Sequence, residues 1–212
     1  MLVTAPASDA QSRIWLDERI RFHPDQPQVA IYNMPFLYHL HPGHTLSTIQ
    51  LRQALQLIVT KHQSLRISLI FDTEKNLLMQ QIIDFTDNNN TTFEFLESTF
   101  ETDEQLNNIM YNEKCNSQLF DLAQGLVFRC HLVYYKEISS NNLLSDKDAL
   151  IFNFHHALFD IPSMNVFLHD LNQAYSTGQL KTDDDTCLRY LDCEYDYYLF
   201  SKLKSYLFSF HI

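Results

Sequence analysis

Glycine is nearly missing, with three in 212 residues. Neither a GxGxxG turn nor a P-loop can be assembled from them, which argues against a cradle for nucleotide phosphates. Cysteine is sparse as well: Cys115, Cys130, Cys187 and Cys193 form no CxxC pair. Disulfide frameworks belong mainly to small secreted domains dense in cysteine, so reduced thiols are expected. Positive charge is short, with 15 Lys and Arg against 26 Asp and Glu and a formal net charge of −11. No basic cluster breaks that balance, so nucleic acid is not an expected partner. No apolar run approaches the roughly 20 residues needed to span a bilayer, so no membrane partner is expected. The opening MLVTAPASDAQSR has no apolar stretch after a basic start, so no signal peptide is expected and the default location is cytoplasmic.

What is present suits a folded core. Apolar residues reach 45% and charged residues 19%, which is globular rather than disordered composition. The length allows one domain with a substantial core, or two small ones. Ser8 to Phe22 predicts a helix capped by Ser8, with Ile14, Trp15, Glu18 and Phe22 on one stripe. Gln28 to Leu40 predicts a strand, and Pro35 marks an edge or bulge. Leu46 to His62 is the clearest helix, since Leu51, Ala54, Leu55, Ile58 and Val59 share a face.

Arg66 to Asp72 and Leu77 to Ile83 predict a hairpin around Thr73 to Asn76. A short strand is expected at Phe93 to Leu96 and a helix at Glu101 to Cys115, whose acidic first turn suits the helix dipole. Leu126 to Glu137 is a long strand, ISSNNLLSD a surface loop, and Asp148 to His156 a strand apolar enough for the middle of a sheet. Asp160 to Tyr175 is a helix with Pro162 in its first turn. KTDDDT is a charged linker, and Cys187 to the end reads as helical. There is no internal repeat. The fold class is α/β (α+β): a two-layer sandwich with a mixed β-sheet flanked by helices.

Chemistry concentrates at Asn153-Phe154-His155-His156-Ala157-Leu158-Phe159-Asp160. Neighbouring side chains of a strand point to opposite faces, so only one histidine can open outward. The buried one needs partners for its ring nitrogens, and an exposed one can take a proton near neutrality. Asp160 has three roles open to it: orienting an imidazole, capping the next helix, or pairing with an arginine. A satisfied polar pair at a strand end fits the same spacing. His39, His41 and His44 lack an accompanying carboxylate or cysteine, so no metal site is expected there. Ser64, Ser163 and the cysteines lack an adjacent base, so no covalent nucleophile is indicated.

Four ordered segments carry a resemblance. His155-His156-Ala157-Leu158-Phe159-Asp160-Ile161 resembles the HHxxxDG motif of condensation domains of nonribosomal peptide synthetases, within the chloramphenicol-acetyltransferase-like acyltransferases. Ser8 to Trp15 is similar to their S-x-A-Q-x-R opening, Lys61 to Arg66 to their R-H-E-x-L-R segment, and Cys193 to Tyr198 to their Y-x-D-Y stretch. The resemblance implies amide or ester bond formation between acyl or aminoacyl groups carried on phosphopantetheine, with peptidyl or acyl carrier proteins as partners and no directly bound cofactor.

It implies His156 as the catalytic residue. His155, Asp160 and Arg66 become structural supports, with Asp160 paired to Arg66. Residues 1–180 would form the N-terminal lobe, and 181–212 a linker and helix leading toward a missing second lobe. Half a tunnel cannot hold both substrates together, so the lobe alone is expected to lack activity. Ile161 stands where the family has glycine, which is expected to narrow the tunnel or shift the turn. A non-catalytic carrier- or protein-binding module is the first alternative, and a CoA-dependent acyltransferase of the same superfamily the second.

Overall fold

The computed structural model describes residues 4–21, 29–84 and 93–180. Strand β1 (Thr4–Pro6) leads into helix α1 (Asp9–Arg21), followed by β2 (Asn33–Tyr38) and the short β3 (Leu46–Ser47). Helix α2 (Thr48–Lys61) ends in a 3₁₀ turn at Gln63–Arg66, and β4 (Ile67–Asp72), β5 (Leu77–Ile82) and β6 (Glu94–Phe100) come next. The chain continues through α3 (Asp103–Cys115), β7 (Phe128–Tyr135), β8 (Leu143–Leu144), β9 (Ala149–His155) and α4 (Ile161–Thr177). Among the described residues, no helix is long and apolar enough to cross a membrane.

The expected α/β class holds, a mixed sheet flanked by helices, but helices lie on both faces of that sheet rather than in the single layer of a two-layer sandwich, and the strands divide among three sheets. One sheet has the order β1-β5-β4, a second pairs β3 with β8, and the third runs β2-β9-β7-β6. In that third sheet β6 pairs parallel to β7 and the other neighbours are antiparallel, so the sheet is mixed as expected. Every residue of β9 is buried because helices cover both faces. Leu150, Phe152 and Phe154 enter the cluster built with α2 and α4. Ala149 and Ile151, one step out of phase, enter the cluster with Leu106 of α3. A strand covered on both sides reads as a continuous apolar run, which is how this one is written.

Local signals explain most boundaries. Ser8 and Gln11 form a reciprocal cap: the Gln11 amide donates to Ser8 Oγ at 3.2 Å, and the Ser8 amide to Gln11 Oε1 at 2.8 Å. The five apolar positions assigned to one face of α2 are each at most 1% exposed. The helix starts two residues later than predicted, because Leu46–Ser47 pairs with Leu143–Leu144 and Ser47 caps from outside. Leu143–Leu144 lies within the stretch predicted to be loop, where two residues are too few to show a strand pattern. The strand expected from Gln28 shrinks to Asn33–Tyr38, and the one expected at Phe93–Leu96 extends to Phe100. Gly178 closes α4 in the left-handed conformation, φ 67°, which costs glycine little. The expected linker and C-terminal helix, and the segment Cys193 to Tyr198, lie outside the described residues.

Candidate functional site at the end of β9

The strand stops at the two histidines because their amides are taken by different elements. The His155 amide donates to Val127 O at 2.9 Å, and the His156 amide to Tyr32 O at 2.9 Å. A turn follows, closed by the Leu158 amide on His155 O at 3.0 Å. Its apolar residues plunge inward: Ala157, Leu158 and Phe159 are all buried. Phe159 stacks on Phe154 with centroids 3.7 Å apart and meets Phe167 of α4 edge-on. The turn is therefore nailed to the core by Phe159, while His156 at its start stays exposed.

The two imidazoles split as strand alternation requires. His155 is buried; its Nδ1 accepts from the Ala157 amide at 3.2 Å, which places the ring proton on Nε2. That Nε2–H faces Glu18 Oε1 of α1 at 3.3 Å. Phe120 meets the ring edge-on at 5.8 Å, and a cleft of about 650 Å³ opens beside it, bordered by Trp15, Glu18, Arg19, Asn33 and Phe120. His156 Nδ1 lies 3.0 Å from Phe159 O. A carbonyl only accepts, so Nδ1 carries the proton. Nε2 is then the basic nitrogen, with no hydrogen-bond partner among the described residues, on an exposed side chain. Tyr32 lies 6.4 Å from the His155 ring and 6.3 Å from that of His156.

The expected ion pair between Asp160 and Arg66 is corrected: it is not among the ion pairs of the described residues. Asp160 caps α4 instead, accepting from the Ser163 amide at 2.9 Å and from the Ser163 hydroxyl. Arg66 donates through Nε to Val59 O at 3.2 Å and through Nη1 to Ile83 O at 2.6 Å. Burial lowers its pKa, against the opposing charge of Asp84. A guanidinium at the end of α2 meets a carbonyl the helix leaves unpaired and ties it to the exit of β5. Spacing alone allowed capping as well as pairing, and the start of α4 offers the nearer donors.

Ile161 takes the first helical position with 70% exposure, and it is not among the residues with positive φ. Isoleucine is therefore accommodated here without the left-handed backbone that favours glycine.

A second carboxylate steadies the segment that holds Arg66. Asp170 of α4 receives Lys61 Nζ at 2.9 Å and His62 Nε2 at 2.7 Å from the end of α2. Burial alone would raise its pKa; the hydrogen bonds from Lys61, His62 and His169 outweigh it and hold the carboxyl below its ordinary value. Glu18 and Asp170 were absent from the expected site. The available signal was a charged residue on an otherwise apolar helix stripe, as at Glu18 of α1 and at Asp170 beside Phe167, Leu171 and Ala174 of α4.

A family model described as Condensation domain matches residues 2–198. The hybrid PKS-NRPS synthetase apdA of Emericella nidulans is 27% identical over 192 residues, or 91% of this chain and 4% of that protein. The tenellin synthetase of Beauveria bassiana is 27% identical over 175 residues, covering 82% of this chain and 4% of that protein. The chain therefore spans a small part of these relatives. Among solved structures, the epimerization domain from the third module of tyrocidine synthetase B has a TM-score of 0.61 at 19% identity, covering 90% of this chain and 40% of that one. The condensation domain of the monacolin K polyketide synthase gives 0.61 at 13% identity, covering 90% and 37%. The X-domain solved in complex with OxyB from teicoplanin biosynthesis gives 0.61 at 21%, covering 88% and 36%. These likenesses establish a shared fold.

Proposed function

We propose, on the premise that this chain belongs to the condensation-domain family, that it supplies the histidine-bearing lobe of a domain joining carrier-bound acyl or aminoacyl groups through an amide or ester bond. One observation carries the reading: His156 is exposed, with Nδ1 committed to Phe159 O and Nε2 left as a basic acceptor. In amide formation the acceptor amine attacks the donor thioester carbonyl. The C–N bond forms, the C–S bond breaks, and the amine proton passes through Nε2 to the departing thiolate. The Phe159 carbonyl fixes both tautomer and ring direction, so the imidazole need not search for its orientation.

His155 is a positioning residue in this account, held between the Ala157 amide and Glu18. Both substrates would arrive on phosphopantetheine arms of peptidyl or acyl carrier proteins. A second lobe would close the opposite side of the tunnel and supply the proximity that one lobe lacks. The test joins this chain to such a lobe and offers carrier-loaded substrates. His156→Ala should lower product formation by about 10²- to 10⁴-fold, the usual worth of a positioned acid-base group. Unchanged product formation would remove His156 from the chemistry.

A second reading keeps the fold and drops the reaction. The X-domain shares this architecture and its solved structure is a complex with OxyB. Under that reading the chain is a docking module for a carrier or another protein. Binding of a carrier protein that survives His156→Ala, with no turnover by the joined wild-type lobes, would favour it.

A further inference from the structure

A second polar constellation lies between α3 and the four-stranded sheet. Ser98 of β6 lies with its Oγ 2.8 Å from His131 Nε2 on β7. His131 Nδ1 lies 2.8 Å from Glu113 Oε1 on α3. Glu113 is 1% exposed and is held from other directions too: Asn153 Nδ2 donates to Oε2 at 2.8 Å, and Arg129 Nε lies 3.4 Å from Oε2, within ion-pair range without hydrogen-bond alignment. Arg129 also reaches Glu94 through Nη1 at 3.0 Å. Burial opposes the charge on Glu113, yet hydrogen bonds from His131 and Asn153 and the charge of Arg129 keep its pKa below the ordinary value.

The tautomer follows. An ionised carboxylate only accepts, so His131 Nδ1 carries the proton. In the neutral imidazole Nε2 is then an acceptor, and Ser98 donates its hydroxyl proton to it. Hydroxyl to imidazole to buried carboxylate is the order of donors in a serine–histidine–carboxylate relay. We propose that Ser98 is a nucleophile activated by His131 and Glu113, and that it takes acyl groups from small activated carboxylic esters.

Access and polarity suit this role. Ser98 is partly exposed, and β6 is the edge of its sheet among the described residues. The Phe100 carbonyl accepts from the Lys136 amide at 2.8 Å, so even-numbered positions of β6 turn their backbone toward β7. Strand alternation turns the Thr99 amide to the open edge, where a donor can meet a developing oxyanion. In the first step Ser98 Oγ bonds to the acyl carbon as its proton moves to His131 Nε2. The ester C–O bond breaks, and the leaving alkoxide takes that proton. Water then attacks the acyl-serine, gives its proton through Nε2 to Ser98 Oγ, and the carboxylic acid departs.

The test exposes the intact chain to a fluorophosphonate probe and locates the adduct by peptide mass spectrometry. The expected result is one label per chain on Ser98, absent in Ser98→Ala and slowed about a hundredfold in His131→Gln. The wild-type chain is also labelled in urea, which decides the matter even where a variant fails to fold. A Ser98 that reacts no faster in the native chain than in the unfolded one overturns the proposal. So does a folded His131→Gln that labels at the wild-type rate.

Discussion

Replacing Asp160 separates the two roles its sequence position allows. The carboxylate accepts from the Ser163 amide at 2.9 Å and from the Ser163 hydroxyl, as the first residue outside α4. Asparagine offers a side-chain oxygen at the same place and ranks with aspartate as an N-cap. Asp160→Asn should therefore lose only the charge–dipole part, a few tenths of a kcal/mol at an exposed helix start. Asp160→Ala removes the side-chain acceptor of the Ser163 amide, leaving it only the Asp160 carbonyl at 3.1 Å, and should lose about 1 kcal/mol.

An ion pair with buried Arg66 would behave differently. Asparagine and alanine would then be equally harmful, each removing the counter-charge of a buried cation at up to about 3–5 kcal/mol. Urea unfolding of wild type, Asp160→Asn and Asp160→Ala, with unchanged m-values, measures the difference. Equal losses of several kcal/mol in the two variants would refute the capping account. A coupling above about 1 kcal/mol in a cycle with Arg66→Met would do the same.

Acid should weaken the fold through Asp170 and Glu113. Both hold folded-state pKa values below the ordinary carboxylate range, so the unfolded chain takes up protons first as pH falls. Their contribution is complete above about pH 5 and fades as pH drops through about 4 and below. Thermal melts from pH 7 to pH 3.5 should show this loss, and Asp170→Asn should flatten the acid limb while lowering stability at pH 7. Phe159→Ala should cost about 3–5 kcal/mol by emptying a buried ring site against Phe154 and Phe167. Phe159→Leu should cost less, because most of the apolar volume remains. A denaturant midpoint for Phe159→Ala within error of wild type would show that the turn is not anchored by this ring.

Short-range physics settled much of this protein in one dimension. The α2 stripe, the reciprocal cap of Ser8 and Gln11, the continuous apolar run of β9 and the inward-outward split of His155 and His156 each depend on neighbours a few positions apart. Periodicity and capping act over that distance, so the letters contain them. The family resemblance was legible for a related reason: its motifs are short and keep their order along the chain.

Tertiary structure decided which polar groups meet. Arg66 went to two carbonyls rather than to Asp160, His155 found Glu18, and Asp170 gathered Lys61 and His62 from another helix. Ser98, His131 and Glu113 lie on three separate elements, and only the parallel pairing of β6 with β7 beneath α3 brings them into line. Nothing local marks such partners, because a buried polar atom accepts any donor that packing delivers, and packing is settled by apolar surfaces elsewhere in the chain.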